Sequence, residues 1–243
     1  MAYETSMRKH MEPIPKLLKV LNWITGALFV VALYMVLFFA PREAVMGDVQ
    51  RVFYFHVAAG WVGSLAFLVT AVTGGIYLAR GERRWDLAAL ASVEIGVVFT
   101  FINIVSGSIW ARPIWNTWWT WDPRLVTATV MELVYIAYIM LRQGIEDPDR
   151  GARFGAVYGI VGFLSVPLTF LSIRIFRTIH PVVIGSGDPT APGAFDMSPR
   201  MRVAFFFSLL TFTFVYVTLL WHRLRLQRLS EKVEQMKIRI LSV

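Results

Sequence analysis

Between Trp110 and Arg124 the chain reads W-A-R-P-I-W-N-T-W-W-T-W-D-P-R, which puts five of its nine tryptophans within 12 residues. Indoles are broad, rigid and apolar, with one N–H donor each, so a cluster of them makes a floor for a flat ligand. Two histidines, His56 in R-V-F-Y-F-H and His180 in R-T-I-H-P, offer imidazoles that coordinate metals. A short helix between Pro113 and Pro123 would set Trp115, Trp118, Trp119 and Asp122 at i, i+3, i+4 and i+7, on one face. Heme has two apolar faces, an iron that takes axial donors and two anionic propionates. The pattern therefore predicts a heme site with His56 and His180 as axial iron ligands and Trp115, Trp118, Trp119 and Trp121 as the aromatic platform. Arg51 lies five residues before His56, about 7.5 Å along a helix, and Arg124 follows the W-D pair. Both are candidate propionate clamps. Asp122 is placed to orient a backbone or an arginine, or to cap the helix that Pro123 begins.

Each feature also has a plainer reading. Tryptophans gather wherever helices meet lipid headgroups, which accounts for Trp23, Trp61, Trp85 and Trp221, but a headgroup belt does not require five in one loop. A histidine in an apolar helix is costly unless it is paired or functional, whereas a loop histidine such as His180 is ordinary taken alone. Bis-imidazole ligation leaves iron no open position, which points to carrying heme and away from oxygen chemistry. His10 and His222 fall on the other side of the topology and receive no role. Glu94 and Glu132 lie inside apolar segments, where they could pair with Asn103 or with each other, or serve a proton-coupled permease.

A chain of 243 residues that is 56% hydrophobic and 16% charged, with mean hydropathy +0.57, departs from soluble domains, which are about 25% charged. The +8 net charge sits in short loops and at segment ends, as the positive-inside rule requires, and does not imply nucleic acid. There is no cysteine, which removes disulfides, iron–sulfur clusters, thiolate ligation and covalent attachment of heme through C-x-x-C-H. Any heme is b-type, held by coordination and packing.

Six segments approach the roughly 20 apolar residues a membrane-spanning helix needs: Leu17 to Ala40, Val52 to Ala79, Leu87 to Ile109, Leu125 to Leu141, Phe154 to Ile175 and Val203 to Trp221. The first is too long for a secretory signal and is read as a retained span. Of the 24 Lys and Arg residues, 16 fall in the amino-terminal segment, the alternate loops and the tail, against 8 in the remaining loops. Both termini are therefore expected in the cytoplasm, with the Trp-rich loop between helices 3 and 4, His56 and His180 together on the outer face. The expected fold is an all-α bundle of six transmembrane helices. Residues 1–222 form the membrane domain with the Trp-rich loop at 110–124, and residues 223–243 form a cytoplasmic amphipathic tail. That tail spaces Leu226, Leu229, Val233, Met236 and Ile240 by threes and fours, for the inner membrane surface or another chain. Gly185 to Pro199 reads as a long outer loop.

The residues resemble the CcmC family of heme-handling proteins in cytochrome c biogenesis, within the wider tryptophan-rich WWD group. The likeness covers the whole chain: its length, its six spans, R-V-F-Y-F-H, G-V-V-F-T-F-I-N-I-V-S-G-S-I-W, W-N-T-W-W-T-W-D-P-R-L and T-I-H after the fifth span. It implies that His56 and His180 ligate heme iron and that Trp115, Trp118, Trp119, Trp121 and Asp122 form the heme platform. It further implies the bacterial inner membrane, with heme presented on the periplasmic side to a soluble heme chaperone that supplies the residue for covalent capture. ABC-type transporter subunits and a small single-span subunit would share the complex. Asn116 departs from the pattern, where the family carries glycine. The rival functions are a b-type electron-transfer cytochrome and a permease using Glu94 and Glu132. No nucleophile–base set marks an enzyme.

Overall fold

The computed structural model describes residues 13–181 and 197–241, with side chains to Ile238. His10 and residues 185–196 of the expected outer loop lie outside the described residues. Among those described, seven α-helices supply six spans: α1 (Lys16–Tyr34), which runs into a π-helical turn at Met35–Phe39, α2 (Gln50–Arg80), α3 (Arg83–Trp115), α4 (Pro123–Gln143), α5 (Pro148–Gly162), α6 (Ser165–Ile175) and α7 (Pro199–Leu241). All six are long and apolar enough to cross a membrane, and the chain is a multi-pass membrane protein.

The antiparallel pair α2 and α3 forms the centre, with α7 and α1 on one flank and α4, α5 and α6 on the other. Between apolar helices in lipid, close approach rather than hydrophobic burial drives association, and small residues permit it. The α2–α3 seam shows this in both directions. Gly60 faces Asn103, Gly63 faces Thr100, Gly96 faces Phe67 and Gly107 faces His56, each leaving no room for a Cβ without displacing its neighbour. Gly74 approaches Ala156 of α5 less tightly, an added Cβ meeting its backbone at 3.3 Å. Phe67 and Tyr135 stack with ring centroids 3.5 Å apart and join α2 to α4.

The fifth span is broken. α5 ends at Gly162 and α6 starts at Ser165, and the two halves keep different company, α5 packing on α2 and α4 and α6 on α4. Away from α2, α6 leaves space at the bundle end where α2 begins and α3 ends. The sixth span is longer than predicted. α7 has 43 residues, about 65 Å of helix against a hydrocarbon core of about 30 Å. Its tail continues the span as one helix instead of turning onto the membrane surface, and Glu231 accepts hydrogen bonds from Arg83.

At the same end, Asp86 is buried and receives Arg142 of α4 and Arg83, the latter at 2.6 Å. Replacing Asp86 with alanine strands the Arg142 guanidinium, whose side chain is only 9% exposed, and the loss of one partner of a buried pair costs about 3–5 kcal/mol. The Asp86→Ala protein is expected to unfold at distinctly lower temperature or detergent-denaturant concentration, and Asp86→Ala with Arg142→Met to regain most of the loss. A single variant as stable as the parent would contradict this account.

Candidate functional site

The starts of α2, α4 and α7 and the ends of α3 and α6 meet at one end of the bundle. There they enclose a cavity of about 440 Å3 lined by His56, Trp110, Trp115, Trp119, Arg124 and His180 among others, within the roughly 300–1,000 Å3 of small-molecule and cofactor sites. It reaches down α2 past Gly60 to Ser64, eight residues beyond His56, about 12 Å toward the middle of the bilayer.

His56 is fixed from α3. Its Nδ1 lies 2.9 Å from the Asn103 carbonyl, and the Asn103 amide donates back to the His56 carbonyl at 2.8 Å. A carbonyl only accepts, so Nδ1 carries the proton and Nε2 keeps its lone pair for a ligand. His180 repeats the device, with Nδ1 3.0 Å from the Pro181 carbonyl. Burial, then the charge of Arg124 and the proximity of His56, push the His180 pKa down to about 3, so the imidazole is neutral at physiological pH and competent to coordinate.

Asp122 joins the two halves of the site. It caps α4, accepting from the Arg124 backbone N–H at 2.9 Å. The same buried carboxylate accepts from the Thr178 hydroxyl at 2.7 Å and the Ile179 N–H at 2.9 Å, while Thr178 Oγ1 accepts from the His180 N–H at 3.0 Å. The segment carrying His180 is thus tied to the Trp-rich loop, and the Trp115 ring lies 6.4 Å from that of His180.

Among the described residues no three His, Cys, Asp or Glu side chains gather to hold a metal. A bare ion normally needs three or four protein donors. Two neutral imidazoles in an indole-lined cavity suit instead a metal that brings its own in-plane donors.

The family model for heme exporter protein C, CcmC, matches residues 3–239. The chain belongs to the heme exporter protein C family. It is 29% identical over 225 residues to the heme exporter protein C of Bradyrhizobium diazoefficiens, covering 90% of this chain and 83% of that one. It is 31% identical over 187 residues to that of Escherichia coli K12, covering 77% and 74%. A putative cytochrome c biosynthesis ccmC-like mitochondrial protein of Marchantia polymorpha is 25% identical over 149 residues, 61% of this chain and 63% of its own length.

In this chain the predicted short helix does not form. α3 continues through Pro113 to Trp115 and is stopped by Asn116 at φ 55°. That left-handed conformation favours glycine and tolerates asparagine best among other residues, so Asn116 can end the helix here. Arg112 donates to the Asn116 side chain and holds the turn. Residues 117–122 follow as irregular chain, so Trp115, Trp118, Trp119 and Asp122 do not share a helical face.

Of the Trp-rich stretch Trp110, Trp115 and Trp119 face inward, and Trp61 of α2, expected only in a headgroup belt, also lines the cavity; Trp110 and Trp115 lie edge-to-face at 5.2 Å. Trp118 and Trp121 are 58% and 84% exposed, and neither lines the cavity. Arg51 is also outside it. Its guanidinium reaches Asp48 at 3.1 Å and the carbonyls of Val36 and Leu37, acceptors left over where the π-helical turn ends α1. Arg124 does line the cavity and lies over the Phe170 ring, 4.8 Å from its centroid.

Sequence reasoning passed over Trp110, Asn103 and Arg174, all of which line the cavity. The signal for Asn103 was present, since an amide 47 residues from His56 within an apolar span demands a polar partner. The expected pairings of the two acids are corrected: Glu94 forms a two-pronged ion pair with Arg223 at 2.5 and 2.7 Å, and Asn103 serves His56. Glu132 is buried with one carboxylate oxygen unpartnered. His222 shares a hydrogen bond with Asn22 at the opposite end of the bundle.

Proposed function

We propose that this protein binds heme b non-covalently in the cavity and presents it, at the periplasmic face of a bacterial inner membrane, to a soluble heme chaperone during cytochrome c maturation. The observation that carries the reading is the pair of imidazoles, brought from α2 and from beyond α6 to one indole-lined cavity and each oriented by a carbonyl at Nδ1. His56 and His180 hold the iron, Trp115 and Trp119 with Trp110 pack on the macrocycle, and Arg124 answers a propionate. Bound heme supplies an iron and a conjugated ring with reactive edge groups; the chain supplies grip, orientation and exclusion of water.

The location of the site at the rim, in reach of a soluble acceptor, fits delivery rather than electron transfer across the bilayer. The excess of Lys and Arg at the opposite end supports the periplasmic orientation. ABC-type transporter subunits and a small single-span subunit are the partners expected from the family, and the long α7 tail with its exposed Leu226, Val233 and Met236 offers a surface for them. The permease alternative loses force because Glu94 is already paired.

In cells lacking their own family member, this chain should restore covalently attached heme in c-type cytochromes, read by peroxidase staining of denaturing gels. The His56→Ala, His180→Ala double variant should not, though made and inserted equally well. Restoration by that variant at the parent level would remove heme delivery through these imidazoles from consideration.

A further inference from the structure

Residues 41–49, between the π-helical turn and α2, bring one large side chain inward. Met46 is 6% exposed and shares a buried cluster with Trp110 and Ala111 of α3, against which Val49, Val52, Ile114 and Trp115 pack. Trp110 and Trp115 line the cavity and Met46 does not, so its thioether lies behind the indoles. The chain is folded to hold it there. The Glu43 carboxylate accepts from the Val45 N–H at 2.7 Å and from the Met46 N–H, and the Glu43 carbonyl accepts from the Gly47 N–H at 3.1 Å. Gly47 takes φ 61°, a left-handed conformation open to glycine, and Arg42 pairs with Asp48 across the turn at 3.5 Å. Trp110 depends on this support. Its indole N–H is buried and makes no hydrogen bond among the described residues, so packing alone sets its tilt. From Trp110 the contacts run edge-to-face to Trp115, with centroids 5.2 Å apart, and from Trp115 to the His180 ring at 6.4 Å.

We infer that Met46 is a positioning residue of this cavity: it backs Trp110 and so sets the angle of Trp115 beside His180. This rests on the heme reading and deepens it, adding a residue from the loop before α2 that stands outside the cavity and acts through the indoles. Methionine suits the place. Its unbranched chain fills irregular gaps and its sulfur is attracted to aromatic rings, whereas alanine leaves a void into which the Trp110 ring can turn. The competing role is that of ordinary filler, needed for stability and indifferent to the ligand.

The two roles separate in a titration of the purified full-length protein with ferric heme, followed by absorption and by circular dichroism in the Soret band. That dichroism arises from coupling between the porphyrin and nearby aromatic rings, so it reports their angles. Met46→Ala is expected to keep the two-imidazole absorption spectrum, since His56 and His180 are each oriented by their own carbonyl. Its Soret dichroism should change in shape and its heme affinity fall by about threefold to tenfold, the worth of a well-set aromatic contact. Met46→Leu, which conserves the volume, should restore both. A Met46→Ala protein that melts at lower temperature but keeps the parent's dichroism and affinity is what a filler gives and would overturn the inference, as would a Met46→Leu protein no closer to the parent than Met46→Ala. A parent without the two-imidazole spectrum would overturn the heme reading itself, which the Met46 variants leave untouched.

Discussion

Asp122→Ala is expected to detach His180 from the proposed heme site while leaving the bundle folded, so that heme bound to that variant shows one imidazole ligand where two are expected in the parent. The carboxylate holds Thr178 and Ile179 directly and the His180 amide through the Thr178 hydroxyl. Each hydrogen bond to a charged acceptor contributes about 1.5–3 kcal/mol. Loss of the two that anchor the His180 segment therefore weakens heme binding on the order of 100-fold. Asp122 also caps α4, but a lost cap costs only about 1 kcal/mol, which a six-span bundle absorbs. Asp122→Asn, retaining one acceptor oxygen, falls between. The check is a heme titration followed by absorption and low-temperature electron paramagnetic resonance spectra; two-imidazole ligation persisting in Asp122→Ala would show that His180 is held by something else.

Gly107→Val acts on the other ligand. A Cβ at this position meets the His56 ring at 2.8 Å from Cε1 and 3.3 Å from Nδ1, well inside contact distance. The ring has nowhere to yield without breaking its bond to the Asn103 carbonyl, because α2 and α3 are already packed glycine to side chain along this seam. The variant should lose the His56 ligand and bind heme at least about tenfold more weakly, each 1.4 kcal/mol being a factor of ten. Gly75, on α2 and with nothing within 4 Å of an added Cβ, is the control. Gly75→Val should leave the heme spectrum intact, and a Gly107→Val protein spectrally identical to it would refute the proposed packing of His56.

The six spans were legible because lipid imposes one strong requirement, an apolar helical segment of about 20 residues, and the sequence meets it six times, the fifth in two helical halves. What hydropathy does not record is how a helix ends. Pro113 sits in the last turn of α3, where the helix tolerates it, and the true stop is the left-handed Asn116; the aromatic face expected beyond Pro113 therefore never forms. Trp119 turns inward and Trp118 and Trp121 outward because the chain there is irregular, and irregular chain has no period to count. His56, His180 and Arg124 were recognisable by type and topology. Arg51 lies outside the cavity and Arg174 lines it for a reason invisible in sequence. The π-helical turn that captures Arg51 and the break at Gly162 that brings α6 beside α4 are both tertiary events. Asp122 announced its cap through the D-P pair but not its grip on Thr178, which lies 56 residues away.

The most direct test of the account is the absorption spectrum, oxidised and reduced, of the purified full-length protein with one equivalent of heme, beside that of the His56→Ala, His180→Ala double variant. The parent is expected to give the low-spin spectrum of iron held by two imidazoles, and the double variant, folded and membrane-inserted, to lose it. A double variant whose spectrum matches the parent in both oxidation states would contradict the central claim that these two side chains hold the ligand.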